Sequence, residues 1–128
     1  VCHLRIDKMT QVQKMDAPVK PMKEVSGLEN GLFLPKHMAE HLYMFSGNSV
    51  PVIMRTHTYM MDDLIDWFGK DFSIVSKSDD LMEIRVIVNE MAMFYWALQY
   101  GTEVEVKSPE RLRENIRSAV NAMVEKYN

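Results

Sequence analysis

The clearest hydrophobic pattern in the chain is a strict alternation over residues 81–88. One side of this segment is apolar throughout, with Met82, Ile84, Val86 and Val88. The other side carries Glu83, Arg85 and Ile87. Successive side chains of a β-strand point to opposite faces, so a period of two predicts a strand with one buried face. Apolar runs predict three further strands, at residues 50–56, 72–77 and 102–107.

A second strong pattern follows at residues 89–101, which predict a helix that is apolar around most of its circumference. Its large apolar side chains are Met91, Met93, Phe94, Tyr95, Trp96, Leu98 and Tyr100. Asn89 is suited to capping the start of this helix, and Gly101 is suited to the left-handed conformation that ends many helices. A helix with apolar residues on most sides must be covered on more than one side. We therefore expect it to lie in the core, between a β-sheet and the last helix of the chain.

Weaker signals predict three more helices. Pro35 suits the first turn of a helix, where its missing N–H costs nothing. Residues 59–68 predict a short helix that stops at Gly69. For the last helix, Ser108 supplies a capping hydroxyl and Pro109 the first helical position. One apolar stripe runs along that helix, through Leu112, Ile116, Ala119, Val120, Met123 and Tyr127.

From residue 50 onward the predicted elements follow the order strand, helix, strand, strand, helix, strand. This is the order of the ferredoxin-like split βαβ arrangement, in which both helices cover one face of an antiparallel sheet. The prediction is therefore an α+β fold, a ferredoxin-like βαββαβ sheet with an added C-terminal helix. A short strand at Val1 to Ile6, a proline-punctuated linker and a helix precede it. The expected regions are residues 1–31 (strand and linker), 32–49 (connecting helix) and 50–128 (ferredoxin-like domain).

Composition and charge narrow the function classes. The chain has 128 residues, a formal net charge of −3 and an ordinary hydrophobic fraction of 47%. This mild acidity argues against a protein that holds nucleic acid through bulk positive charge. The single cysteine, Cys2, cannot form an internal disulfide, so we expect a reducing compartment and a cytoplasmic location. No signal peptide or membrane span is evident, and the start at Val1 without a methionine suggests a fragment.

Few residues suggest catalytic or metal chemistry. His37 and His41 lie one helical turn apart, which suits a shared metal, but no convincing third ligand accompanies them. Cys2 has no activating histidine in the sequence, so we expect a buried thiol. Three aspartates suit a helix N-terminus and a solvated face better than acid–base catalysis; they are Asp62, Asp63 and Asp66. We therefore predict no enzymatic activity, no metal and no cofactor.

The outward face of the predicted sheet is a better candidate site. The first and third strands of a ferredoxin-like sheet are neighbours, and Arg55 and Arg85 both alternate to the face away from the helices. With Ile53 and Ile87 beside them, two guanidiniums on a half-apolar surface can bind a phosphate or carboxylate bidentately. The favoured alternative is ion pairing with carboxylates of the same surface, namely Glu83, Glu103 or Glu105. No aromatic residue occupies an outward position of the predicted strands, so base stacking of the RNA-recognition kind is not expected.

Several segments resemble the WYL-domain transcriptional regulators of bacteria. They are Met44–Gly47, Ile65–Gly69, Phe94–Gly101 and Val104–Arg113. From about Val50 onward the chain is similar to the C-terminal extension of that family, the WCX domain. The segment Leu4–Met9 resembles the Arg-x-Asp-Arg strand that closes the WYL domain proper, with Lys8 in place of the usual second arginine. Residues 1–31 are then the end of a WYL domain followed by a linker.

The resemblance implies a role in transcription regulation. In that family an N-terminal winged helix-turn-helix binds promoter DNA, and the WYL domain senses a ligand such as a nucleotide or single-stranded nucleic acid. The extension aids sensing and dimerisation. Arg5 matches a motif position associated with the ligand pocket, and Asp7 matches the motif as well. Because this sequence holds neither the Trp-Tyr-Leu tripeptide nor the helix-turn-helix, the first strand is expected to need a partner from another chain.

The resulting hypothesis is a homodimeric, ligand-sensing C-terminal region that reaches promoter DNA only through an N-terminal domain missing from this sequence. Its expected ligand contacts are Arg5, Arg55 and Arg85. Two alternatives remain open: a stand-alone ACT-like module that binds a small metabolite, and a pure dimerisation module without a ligand. A helix-turn-helix upstream in the reading frame would favour the regulator, whereas an upstream catalytic domain would favour the metabolite module.

Overall fold

The computed structural model of the protein describes residues 5–40, 42–45 and 47–128. Its strands are β1 (Ser49–His57), β2 (Ser73–Lys77), β3 (Leu81–Asn89) and β4 (Val104–Ser108). Its α-helices are α1 (Leu34–Glu40), α2 (Met61–Phe68), α3 (Glu90–Gln99) and α4 (Glu110–Tyr127). Short 3-10 turns lie at Ile6–Lys8, Met22–Glu24, Leu42–Met44 and Thr58–Met60. From β1 onward the element order is therefore βαββαβα.

Within the described ranges, four strands form one antiparallel sheet in the order β2-β3-β1-β4. β1 pairs with β3 along its whole length, from Ser49 opposite Asn89 to His57 opposite Leu81. β2 and β4 are the edge strands, and each joins its neighbour with one shift in register. This strand order confirms the ferredoxin-like arrangement that the sequence predicts.

Alternation along the two central strands decides which face of the sheet is covered. The inward side chains are almost fully buried: Val52, Met54 and Thr56 of β1, and Met82, Ile84, Val86 and Val88 of β3. Leu64 and Phe68 of α2, and Trp96 of α3, belong to the same core. Each fully buried side chain of this size contributes about 1.5–3 kcal/mol to folding. The predicted alternation is confirmed, since the outward side chains of both strands stay exposed or half-buried.

Helix α3 lies in the core, as predicted. The Oδ1 atom of Asn89 accepts a hydrogen bond from the backbone N–H of Ala92 at 3.1 Å, which caps the helix start. Its buried residues are Ala92, Met93, Trp96 and Ala97. The sheet covers one side of the helix and α4 packs against another. The Leu42–Met44 turn adds a third contact, and the ring of Phe45 beside it stacks on Tyr95.

The end of α3 differs from the sequence prediction, because Gly101 does not have a positive φ. Tyr100 ends the helix instead, with φ −106° and ψ 28°, and its N–H donates to the carbonyl of Trp96. The carbonyl of Tyr100 then accepts from the N–H groups of Glu103 and Val104 at 2.8 and 3.0 Å. These hydrogen bonds turn the chain into β4 without a left-handed residue.

Helix α4 begins after Pro109 and without a side-chain cap. The expected cap by Ser108 does not form because Ser108 is the last residue of β4 and pairs with Ile53 in the sheet. Leu112 anchors the helix and is only 1% exposed. The apolar stripe is partly buried at Ile116 and Ala119 and exposed at Val120, Met123 and Tyr127, and the neighbouring Val124 is exposed as well. Although α4 has 18 residues, neither it nor any other described helix is apolar enough to cross a bilayer.

The segment before the sheet is less regular than predicted. Residues 1–4 lie outside the described residues, and with them most of the expected strand Val1 to Ile6. Ile6 itself begins a 3-10 turn rather than a strand. The helix expected over residues 32–49 is shorter, because α1 ends at Glu40 and Tyr43 has a φ of +56°. A left-handed residue cannot continue a right-handed helix.

Candidate functional site

The outward face of the sheet carries two of the arginines singled out from the sequence. Outward side chains are Ile53, Arg55 and His57 on β1, and Glu83, Arg85 and Ile87 on β3. In the antiparallel register Arg55 lies opposite Glu83, and Arg85 lies opposite Ile53. The two arginines therefore share one face of neighbouring strands, as the alternation predicts.

Arg55 is held by carboxylates on both neighbouring strands. Its Nη2 atom lies 3.0 Å from Oε1 of Glu83 on β3, and its Nη1 atom lies 3.6 Å from Oε2 of Glu105 on β4. All three side chains are partly exposed, so each pair contributes about 0–1 kcal/mol. The ion-pairing alternative therefore describes Arg55, and a ligand would compete with two carboxylates for its guanidinium.

Arg85 differs from Arg55 because its register partners carry no charge: they are Ile53 on β1 and Ser73 on β2. Within the described part of the chain, no carboxylate forms an ion pair with it. Its side chain is exposed, and Ile87, on the same face of the same strand, is 47% exposed. An unpaired guanidinium on a half-apolar surface presents a planar fork of donors to a phosphate or carboxylate.

Arg5 lies in the N-terminal segment and pairs with Asp7. Its Nε atom is 2.9 Å from Oδ1 and its Nη2 atom 2.5 Å from Oδ2 of that carboxylate. This pairing raises the pKa of Arg5 and lowers the pKa of Asp7. Among the described residues Asp7 is the one ionic partner of Arg5. Its carboxylate occupies the guanidinium N–H donors that a ligand would use. As a ligand contact, Arg5 stays a prediction.

The β4 edge of the outward face is a network of opposite charges around Glu105. Its Oε1 atom accepts a hydrogen bond from Nη1 of Arg113 at 3.0 Å and lies 3.5 Å from Nζ of Lys107. The hydrogen bond from Arg113, followed by the charge of Lys107, lowers the pKa of Glu105 from its ordinary value. Glu105 therefore stays ionised to lower pH in the folded protein than in the unfolded chain.

Replacement of Glu105 by Gln gives a pH-dependent test of this network. At pH 6 we expect the wild-type protein to be more stable than the variant by up to about 1 kcal/mol, as for exposed ion pairs. The folded pKa lies below the unfolded value, so this contribution is present above the unfolded pKa and is lost as the pH falls through the folded pKa. Urea denaturation at about pH 6 and about pH 3 measures the difference. An equal difference at both pH values would contradict the assignment.

Sequence reasoning missed a cluster of aromatic and polar groups at one end of this face. The rings of His57 and Tyr59 stack, with centroids 5.1 Å apart and planes 9° apart. The hydroxyl of Tyr59 donates to Glu103, which lowers the pKa of Glu103 and raises that of Tyr59. A cavity of about 230 Å³ adjoins His57 and Glu103. Extending the alternation of β1 by one residue beyond Thr56 would have placed His57 on the outward face.

The other candidate residues do not form a site in the part of the chain that the structure describes. No group of three or more His, Cys, Asp or Glu side chains is placed there to bind a metal. His41 and Cys2 fall outside the described residues, so the spacing of the two histidines and the expected burial of the thiol are not tested. Asp62 and Asp63 occupy the first turn of α2, which suits the positive end of a helix, and Asp66 is exposed.

Comparison with known proteins gives the family. No curated protein matches the chain. The family profile of the WCX domain matches residues 52–124, which run from β1 into α4 and include Arg55 and Arg85 but not Arg5. This agrees with the resemblance noted from about Val50 onward. Because the match spans more than half of the chain, the chain belongs to the WCX domain family.

Proposed function

We propose that this chain is the ligand-sensing and dimerisation region at the C-terminal end of a bacterial transcriptional regulator of the WYL class. The observation that carries the proposal is the WCX match over residues 52–124. The motif resemblance of the segment Leu4–Met9 supports it. Promoter DNA is then bound by a helix-turn-helix domain upstream of this sequence, and this region has no catalytic role.

The proposed ligand is anionic, a nucleotide or a single-stranded nucleic acid, and it binds to the outward face of the sheet. Arg85 is the first contact, because its guanidinium is exposed and has no carboxylate beside it among the described residues. Arg55 is the second contact, and it must exchange Glu83 or Glu105 for the ligand. Ile53 and Ile87 supply apolar surface for the uncharged part of the ligand.

The proposed mechanism relays ligand occupancy to the arrangement of two subunits. A ligand shifts such an equilibrium only if it binds one arrangement more tightly than the other. The exposed stripe on the second half of α4 offers apolar surface for a second subunit, through Val120, Met123, Val124 and Tyr127. A coupling of about 1–3 kcal/mol between ligand site and subunit interface is typical of such regulators.

Replacement of Arg85 by Ala tests the ligand site. We expect the affinity for a short single-stranded oligonucleotide or a nucleotide to fall about ten-fold, because a charge-assisted bidentate contact is lost. Stability should change by less than about 0.5 kcal/mol, since the side chain is exposed. Calorimetric titration and a thermal melt measure the two quantities.

The matched control for this variant is Arg117→Ala. It also removes an exposed arginine, but one that lies on α4, away from the outward face. It should leave the affinity unchanged. If Arg85→Ala binds like the wild type, or melts at a much lower temperature, Arg85 is not the ligand contact that we propose.

Sedimentation separates the proposal from its two alternatives. A dimer whose dissociation constant changes when a nucleotide or oligonucleotide is added supports the sensing role. A dimer that gives no heat with nucleotides, oligonucleotides or amino acids supports a pure dimerisation module. Binding of a metabolite alone supports the ACT-like alternative.

A further inference from the structure

A groove between α3 and α4 lies on the helical side of the sheet, away from Arg85. It encloses about 500 Å³, which is within the range of small-molecule sites. The first turns of both helices line it, with Glu90, Met91 and Phe94 from α3 and Arg111, Leu112 and Asn115 from α4. The groove therefore combines apolar, charged and amide groups within one small volume.

The floor of the groove is apolar. Leu112 is 1% exposed and Phe94 is half-buried, so both form part of the packed wall between the helices. Met91 is 52% exposed and lies beside them. A methionine side chain adapts its shape to its neighbours, which lets the floor accept a branched or aromatic group.

The rim of the groove carries one charge of each sign. The Nε atom of Arg111 lies 3.7 Å from Oε1 of Glu90, and their side chains are 83% and 30% exposed. This distance is too long for a hydrogen bond, and exposed pairs of this kind contribute little to stability. The pair can therefore open at small cost. The side-chain amide of Asn115, one turn after Arg111, makes no hydrogen bond to any described residue.

The two charges together select the ligand. A purely anionic molecule pairs with Arg111 but leaves Glu90 unpaired, and a purely cationic one pairs with Glu90 but leaves Arg111 unpaired. A zwitterion with an apolar side chain satisfies both charges and covers the floor. Its ammonium group replaces Arg111 beside Glu90, and its carboxylate takes the planar fork of donors on Arg111.

We propose that this groove binds a free amino acid with a large apolar side chain. Glu90 binds its ammonium group, Arg111 binds its carboxylate, and Phe94 and Met91 contact its side chain, above the buried Leu112. Asn115 donates to or accepts from the ligand's polar end. This site goes beyond the proposed function, because it uses none of the arginines on the outward face of the sheet.

Calorimetric titration of the chain with L-phenylalanine tests the proposal. Two analogues isolate the two charges: 2-phenylethylamine lacks the carboxylate, and 3-phenylpropionate lacks the amine. We expect L-phenylalanine to bind and each analogue to bind at least about ten-fold more weakly, because each loses one charge-assisted contact. Shifts in the methyl resonances of Met91 and Leu112 on titration locate the ligand.

Two variants test the named residues. Arg111→Met and Glu90→Gln should each weaken L-phenylalanine by about ten-fold or more. The matched control is Arg117→Met, which breaks another exposed ion pair of α4, with Glu114 at 3.3 Å, and should leave the affinity unchanged. Arg85→Ala should also leave it unchanged, so that this site and the proposed function can fail separately.

Two results would overturn the proposal. The first is no binding of L-phenylalanine, L-leucine or L-methionine up to about 10 mM, far above the range of useful affinities. If the chain is then a dimer that Arg111→Met dissociates, the groove is a contact between subunits instead. The second result is an affinity for 2-phenylethylamine, or of the Arg111→Met protein for L-phenylalanine, equal to that of the wild type for L-phenylalanine.

Discussion

Replacement of Trp96 by Ala should lower the free energy of unfolding by about 3–5 kcal/mol, as truncation of large core side chains does. Trp96 is fully buried at the centre of the core. Its ring meets Phe68 edge-on, with centroids 4.9 Å apart, and lies 4.8 Å from the ring of Tyr100. The void left by alanine would be bordered by the sheet, α2 and α3, which cannot all collapse into it. Urea denaturation at 25 °C measures the loss.

The indole Nε1 of Trp96 allows a second test, the replacement of Trp96 by Phe. Among the described residues it has no hydrogen-bond partner, and a buried donor without one costs free energy. Trp96→Phe removes that donor and keeps most of the aromatic packing, so it should lose clearly less than Trp96→Ala. The control is Tyr95→Ala on the same helix, which removes a half-exposed ring and should cost about 1 kcal/mol. If the Trp96→Ala protein is as stable as this control, α3 does not lie in the core.

Replacement of Leu112 by Ala should cost about 2–5 kcal/mol, because this side chain fixes α4 to the rest of the domain. Leu112 is 1% exposed and belongs to the core cluster. Ile116, one turn later, is only partly buried, and the following turns are exposed. The loss should therefore be concentrated at one residue of the stripe.

Val124→Ala is the matched control for Leu112→Ala. It removes a similar apolar side chain from the same helix, but the side chain is 52% exposed. At protein concentrations that keep the chain monomeric, we expect a change within about 0.5 kcal/mol, as for surface substitutions. Equal losses at the two positions would show that the second half of α4 is covered within the subunit.

Much of the fold could be predicted from two uninterrupted hydrophobic patterns, the alternation over β3 and the apolar surface of α3. The period of two over β3 fixes both the element and its buried face, since a slip of one residue would expose Met82 and Ile84 and bury Arg85. The apolar surface of α3 requires cover on more than one side, and the structure provides it. The order of elements then leaves the ferredoxin-like arrangement as the simplest topology.

The details of the candidate site could be predicted only in part. Strand alternation places Arg55 and Arg85 on one face, but it does not say which carboxylate lies opposite which arginine. That depends on strand order and register, and the register between β1 and β4 shifts between Ile53 and Met54. Arg55 lies on β1, between β3 and β4, and is opposite Glu83 and Glu105, whereas Arg85 lies on β3 and is opposite Ile53 and Ser73. Residues 7–24, before β1, have no sustained hydrophobic period, so their sequence predicts no regular element.

The shape of α4 has a mechanical consequence. Its first turns are clamped at Leu112, and its last ten or so residues form a rigid arm of roughly 15 Å at 1.5 Å per residue. A tilt of about 10° at the clamp would carry the far end through about 3 Å, a displacement large enough to change the packing of side chains at its tip. A small rotation of α4 about Leu112, beside the α3–α4 groove, would therefore displace the end of the helix at Tyr127 the most.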